Sequence, residues 1–108
     1  MKNKLFITTT LPYCNSSAHV GHLFEFILGD IYSRWFRNEY DVRFNVGLDE
    51  NGSKIKKKTI ELNIDIKEYL DLATIEWKDF CKKFDISYDT FYKTSTQDHY
   101  TKVQELWK

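Results

Sequence analysis

Proline and glycine are nearly missing from this 108-residue chain, which holds one proline, Pro12, and four glycines. Their scarcity excludes collagen-like and low-complexity architectures, and a content of 42% hydrophobic and 17% aromatic residues excludes a disordered tail. A surplus charge of either sign is also lacking. Sixteen Lys and Arg balance sixteen Asp and Glu, so any nucleic-acid contact must be local rather than a general basic surface. Cysteine is scarce: Cys14 and Cys81 have no Cys-x-x-Cys spacing, which argues against a disulfide scaffold or a protein-bound zinc. No apolar run reaches the roughly 18–20 residues of a membrane span. Thr8, Thr9 and Thr10 end the first apolar run too early for a signal peptide. A cytoplasmic location and no membrane partner are the expectation.

The patterning that is present alternates strand and helix. Lys4 to Thr10 is β-branched and aromatic and predicts a buried strand. Leu11 to Ala18, with Pro12, Asn15, Ser16 and Ser17, predicts a loop. From His19 to about Asn38, the residues Val20, Phe24, Ile27, Ile31 and Trp35 recur at helical steps, a stripe expected to face the core. Gly29 interrupts that helix at a cost of about 1 kcal/mol relative to alanine, consistent with a close approach of another element. Val42 to Leu48 predicts a second buried strand, giving a βαβ unit that should be parallel and right-handed.

Asp49 to Gly52 then reads as a turn, and Ser53 as the cap of a helix reaching Leu62. A longer helix starts near Asp65, with Glu68 in a capping-box-like position and a core face through Ile66, Leu70, Ala73, Trp77, Phe80 and Phe84. A short strand around Thr90 to Tyr92 and a final helix from Gln97 to Trp107 complete the pattern. Val103, Leu106 and Trp107 of that helix call for a surface to cover.

The chemistry-bearing stretch is His19-Val20-Gly21-His22, where a polar loop turns into a helix directly after a strand. A helix start offers unpaired N–H groups and the positive end of the macrodipole, so anions dock there. Imidazoles at that place donate to phosphate oxygens, and a glycine between them lets a flat ring or phosphate approach. In open α/β sheets ligands bind beyond the carboxyl ends of the strands, where His19 and Asp49 both fall. Asp49 is either a turn residue or an acceptor for an ammonium or a ribose. Asn15 either stabilises its turn or touches nucleotide, and Tyr13 either joins the core or walls a small apolar pocket. The lysine run Lys54, Lys56, Lys57, Lys58 reads as a solvated helix face. No His-x-x-x-His or Gly-x-Ser-x-Gly spacing occurs, so neither a protein-held catalytic metal nor a serine hydrolase is indicated.

The run Ile7 to Asn15 followed by His19-Val20-Gly21-His22 resembles the opening of a class I aminoacyl-tRNA synthetase with its HIGH signature, and within that class the methionyl-tRNA synthetase family. Gly47-Leu48-Asp49-Glu50-Asn51-Gly52-Ser53-Lys54-Ile55, Trp77-Lys78-Asp79-Phe80, Phe84 to Phe91 and Thr94 to His99 extend the resemblance over nearly the whole chain. It implies an α/β, Rossmann-like three-layer fold with a parallel sheet and flanking helices. Residues 1–108 would be its first half, the amino-terminal half of the nucleotide-binding catalytic domain. It implies activation of methionine by ATP, with Mg2+ arriving on the nucleotide, and transfer of the methionyl group to tRNA(Met) by the full-length enzyme. His19 and His22 would be catalytic and hold ATP with Asn15 and Gly21; Thr10, Leu11, Tyr13 and Asp49 would receive the amino acid. The family commonly has histidine where this chain has Asn51.

The second half of the fold, the Lys-Met-Ser-Lys-Ser loop, the zinc-bearing connective segment and the anticodon-binding helices have no counterpart in these residues. The expectation is therefore an isolated chain that is inactive or only binds nucleotide. Its exposed sheet edge would meet the missing carboxy-terminal portion or another copy of itself. Two alternatives remain open: another nucleotidyltransferase with the HIGH signature, or a truncated, non-catalytic synthetase paralogue acting as a binding module.

Overall fold

The computed structural model describes residues 1–108. Its elements are β1 (Lys4–Thr8), α1 (Val20–Phe36), β2 (Asp41–Leu48), α2 (Ser53–Leu62), α3 (Ile66–Lys83), β3 (Thr90–Lys93) and α4 (Gln97–Trp107). The three strands form one parallel sheet in the order β1-β2-β3, with Lys4 opposite Asp41 and Asn45 opposite Thr90. This is the expected βαβ arrangement, continued by a second crossover through α2 and α3.

The core lies where α1 and α3 meet above β2. Phe44, Val46 and Leu48 are fully buried and pack with Phe26, Trp77 and Cys81. Phe26 contacts both Trp77 and Phe80 across the two helices. Gly29 has the role its position suggested: a Cβ there would lie 2.9 Å from the Phe44 ring, so only glycine lets α1 settle on the strand. Asp30, buried on the same helix face, accepts from the main-chain N–H of Ser87 at 2.7 Å and from Arg34 at 2.8 Å. Burial opposes ionisation of Asp30, but the Ser87 hydrogen bonds and the Arg34 guanidinium outweigh it and hold the carboxyl below its ordinary range.

Several expectations are corrected. The first strand stops at Thr8 rather than Thr10, and it is a sheet edge rather than a buried strand: Lys4, Phe6 and Thr8 are exposed. Ser53 is the first helical residue of α2 and not its cap, which is Gly52 and makes no side-chain bond. Asp65 does cap α3, accepting from the Lys67 N–H at 3.0 Å. The largest correction concerns α1. Val20, Phe24, Ile31 and Trp35 are exposed, and the buried face is instead Phe26, Asp30 and Ser33. On α3, Leu70, Ala73 and Trp77 are buried as expected, whereas Ile66 and Phe84 are exposed. Helix α4 buries nothing, leaving Val103, Leu106 and Trp107 open. No helix is long and apolar enough to cross a membrane.

Candidate functional site

The loop from Thr9 to Ala18 leaves β1 at its carboxyl end and is pulled against the end of β2. Tyr13 forms an isolated parallel bridge with Asp49, whose N–H donates to the Pro12 carbonyl at 2.9 Å. The loop then returns to start α1 at His19. The two imidazoles cap their own helix reciprocally. Nδ1 of His19 accepts from the Gly21 N–H at 3.1 Å, and Nδ1 of His22 accepts from the His19 N–H at 3.2 Å.

This capping box fixes the chemistry of both rings. A nitrogen that accepts a hydrogen bond carries no proton, so each neutral imidazole holds its proton on Nε2, as a donor. The rings stack with centroids 3.8 Å apart, and His22 abuts the edge of Trp77 at 4.9 Å. Burial, with His19 adding to it, lowers the His22 pKa against the opposing pull of Glu25, which keeps the ring neutral. The space a Cβ on Gly21 would fill is taken by the His19 ring, 2.9 Å away.

Asp49 sits half-buried at the end of β2. Its Oδ1 accepts from the Asn51 N–H and from the Thr94 hydroxyl, each at 3.1 Å. Tyr13 is exposed and lines a pocket of about 200 Å³ with Asn51, Gly52 and Ile55. Leu11 is half-buried in the same loop. Thr10 is exposed but engaged, its hydroxyl donating to Glu25 at 2.8 Å. Asn15 turns elsewhere, lining a cavity of about 410 Å³ with Tyr69, Leu72 and Trp77. The structure thus places His19, Gly21 and His22 together at the α1 start. It joins Tyr13 to Asp49, and sets Asn15 in a separate hollow behind the loop. A wider hollow of about 630 Å³ between Lys4, Arg43 and Asp89 lies at the opposite, amino-terminal end of the strands and carries none of these groups.

Cys14 is not a candidate nucleophile. Burial first, and Glu50 second, push its thiol up to about 11. No group of three or more His, Cys, Asp or Glu side chains is placed to hold a metal ion.

Residues 5–108 match the family model for class I tRNA synthetases (M). The chain belongs to the methionyl-tRNA synthetase family. It is 38% identical over 109 aligned positions to methionine–tRNA ligase 1 of Bacillus cereus, covering 99% of this chain and 16% of that protein. It is 36% identical to the methionine–tRNA ligase of Rickettsia prowazekii, covering all of this chain and 22% of that protein. The structure of Mycobacterium tuberculosis methionyl-tRNA synthetase in complex with methionyl-adenylate superposes with a TM-score of 0.93 at 31% identity. That superposition covers 97% of this chain and 21% of that one. The chain therefore spans about a fifth of the length of the relatives it matches.

Glu25 is unmarked by the sequence pattern, and Trp77 and Thr94 have contacts beyond the core and motif positions expected of them. Glu25 ties the end of β1 to α1 through Thr10, Trp77 braces His22, and Thr94 joins the ends of β2 and β3. Glu25 lies three residues beyond His22, so helical phase places it one turn further along the same face as that imidazole. Nothing in the sequence pairs Thr94 with Asp49.

Proposed function

We propose that these 108 residues form the first half of the adenylate-forming site of a methionine–tRNA ligase. The observation that carries the reading is the pair of self-capped imidazoles at the start of α1, in the connection between β1 and β2, together with Asp49 held at the carboxyl end of β2. Asp49 directly follows β2, the loop after β1 bridges to it at Tyr13 before starting α1 at His19, and the chain's structural relative holds methionyl-adenylate. The Nε2–H donors of His19 and His22 meet the phosphates of ATP and stabilise charge as the methionine carboxylate attacks the α-phosphorus and pyrophosphate leaves. This is positioning plus preorganised electrostatics, without a covalent enzyme intermediate.

Asp49 accepts the ammonium of methionine as a charge-assisted hydrogen bond. Tyr13 and Leu11 wall the thioether, for which apolar and polarisable contacts suffice. Thr10, engaged by Glu25, fixes the backbone of that wall. Asn15 faces the separate hollow behind the loop and is given no role at the nucleotide. Magnesium belongs to the substrate ATP, held by its phosphates.

On this reading, transfer to tRNA and clamping of pyrophosphate need the rest of the enzyme, either continuous with this chain or added to it. Its docking surface is the open edge of β1 with the exposed α1 stripe of Phe24, Ile31 and Trp35. A further strand and its covering helix would complete both at once.

The test is calorimetric titration of the chain with methionyl sulfamoyl-adenosine, a non-reactive adenylate analogue, alongside methionine-dependent ATP–pyrophosphate exchange. The analogue should bind, and His19→Asn with His22→Asn should weaken it at least about tenfold, the loss of two hydrogen bonds to a charged group. Asparagine at position 19 keeps a helix cap. Exchange by the chain alone should stay at background. Robust exchange overturns the half-site, and binding untouched by the double variant overturns the site.

A further inference from the structure

The ends of β2 and β3 are joined by a knot of polar side chains that the reaction itself does not use. At its centre is Thr94, buried and immediately after β3. Its hydroxyl accepts from the Glu50 N–H at 2.8 Å and from Asn51 Nδ2 at 3.2 Å. A hydroxyl has two lone pairs and one proton. With both lone pairs facing N–H donors, the proton has one destination, Asp49 Oδ1 at 3.1 Å.

The hydroxyl is itself held in place. The Thr94 N–H donates to the Leu48 carbonyl, and Ser95 Oγ donates to Glu50 Oε1 at 3.0 Å. Glu50, whose side chain is wholly buried, faces Lys93 Nζ at 3.6 Å. The two strand ends are thus clamped on both sides of Asp49. Together with the Asn51 N–H, Thr94 occupies Oδ1 completely, while no protein donor reaches Oδ2.

We propose that Thr94 is a positioning residue for amine recognition. It locks the Asp49 carboxylate with one oxygen spent inside the fold and the other presented to the primary ammonium of the substrate. The inference rests on the reading above that Asp49 takes the amino group.

The experiment compares binding of methionyl sulfamoyl-adenosine with that of its des-amino counterpart to the wild-type chain, Thr94→Val, Thr94→Ala and Thr94→Ser. Wild type should favour the amine-bearing analogue. Thr94→Val should reduce that preference roughly tenfold, in line with one hydrogen bond to a charged group. Thr94→Ser should restore it, and the des-amino analogue should bind all variants alike. Thr94→Ala leaves room for a water to serve the Glu50 N–H and gives the same readout should Thr94→Val fail to fold. If both analogues weaken together, or serine does not rescue, Thr94 is a strut and the proposal fails. If wild type itself ignores the amine, the Asp49 reading fails first and takes this one with it.

Discussion

Replacing Gly47 by alanine should damage this molecule more than the same change at Gly21 or Gly29. Gly47 lies in the central strand opposite Tyr92, and a Cβ there would fall 1.9 Å from the Tyr92 carbonyl oxygen and 2.8 Å from its N and C. These are backbone atoms in a paired strand, so no rotamer change relieves the contact. Reaching ordinary van der Waals separation requires β3 to retreat by about 1.5 Å. That opens roughly two ladder hydrogen bonds at about 1 kcal/mol each. Residual overpacking adds about 1–3 kcal/mol, and the lower chain entropy of alanine returns about 0.5–1 kcal/mol. The net loss is about 2–4 kcal/mol.

A domain of this size loses about 4–8 °C in Tm per kcal/mol, so the melting temperature should fall by roughly 10 °C or more. Thermal unfolding followed by circular dichroism measures this directly. Because the same displacement carries Thr94 away from Asp49, the variant held below its Tm should also lose its preference for the amine-bearing analogue. A Tm within about 3 °C of wild type, with that preference intact, would refute the reasoning.

Two further outcomes follow from the α1 start and its exposed face. The folded pKa of His22 lies below its ordinary value near 6.5. The group therefore contributes stability that is complete above that pH and is lost as pH falls through the folded pKa, when protonated Nδ1 can no longer accept from the His19 N–H. Urea midpoints should drop between pH 7.5 and 5. His22→Gln, which can still reach back as a capping residue, should flatten that dependence, and equal slopes would contradict it. On the exposed face, Ile31→Lys with Trp35→Lys should reduce self-association in sedimentation velocity while changing stability by no more than about 0.5 kcal/mol each. Unfolding of this double variant would show that the stripe is used within the chain.

How far the sequence reaches differs from element to element. Sequence alone determined the order of strands and helices, the parallel crossover, the helix start at His19 and the capped start at Asp65. These depend on neighbours a few residues apart: β-branched runs, polar breakers and residues whose side chains satisfy local N–H groups. It also located Asp49 at the end of β2 and His19 where the loop after β1 turns into α1. Which face of α1 is buried was decided only by tertiary structure. The apolar stripe points outward, while the buried face is built from Phe26, Gly29, Asp30 and Ser33, where glycine permits close approach and Asp30 takes hydrogen bonds that hydrophobic periodicity does not register. Thr94 on Asp49 and Ser87 on Asp30 are likewise tertiary facts, each joining residues more than forty positions apart. Local patterning records what a residue needs from its own turn or strand. It carries no record of which distant carboxylate a buried hydroxyl will meet, because that depends on how the strands stack side by side.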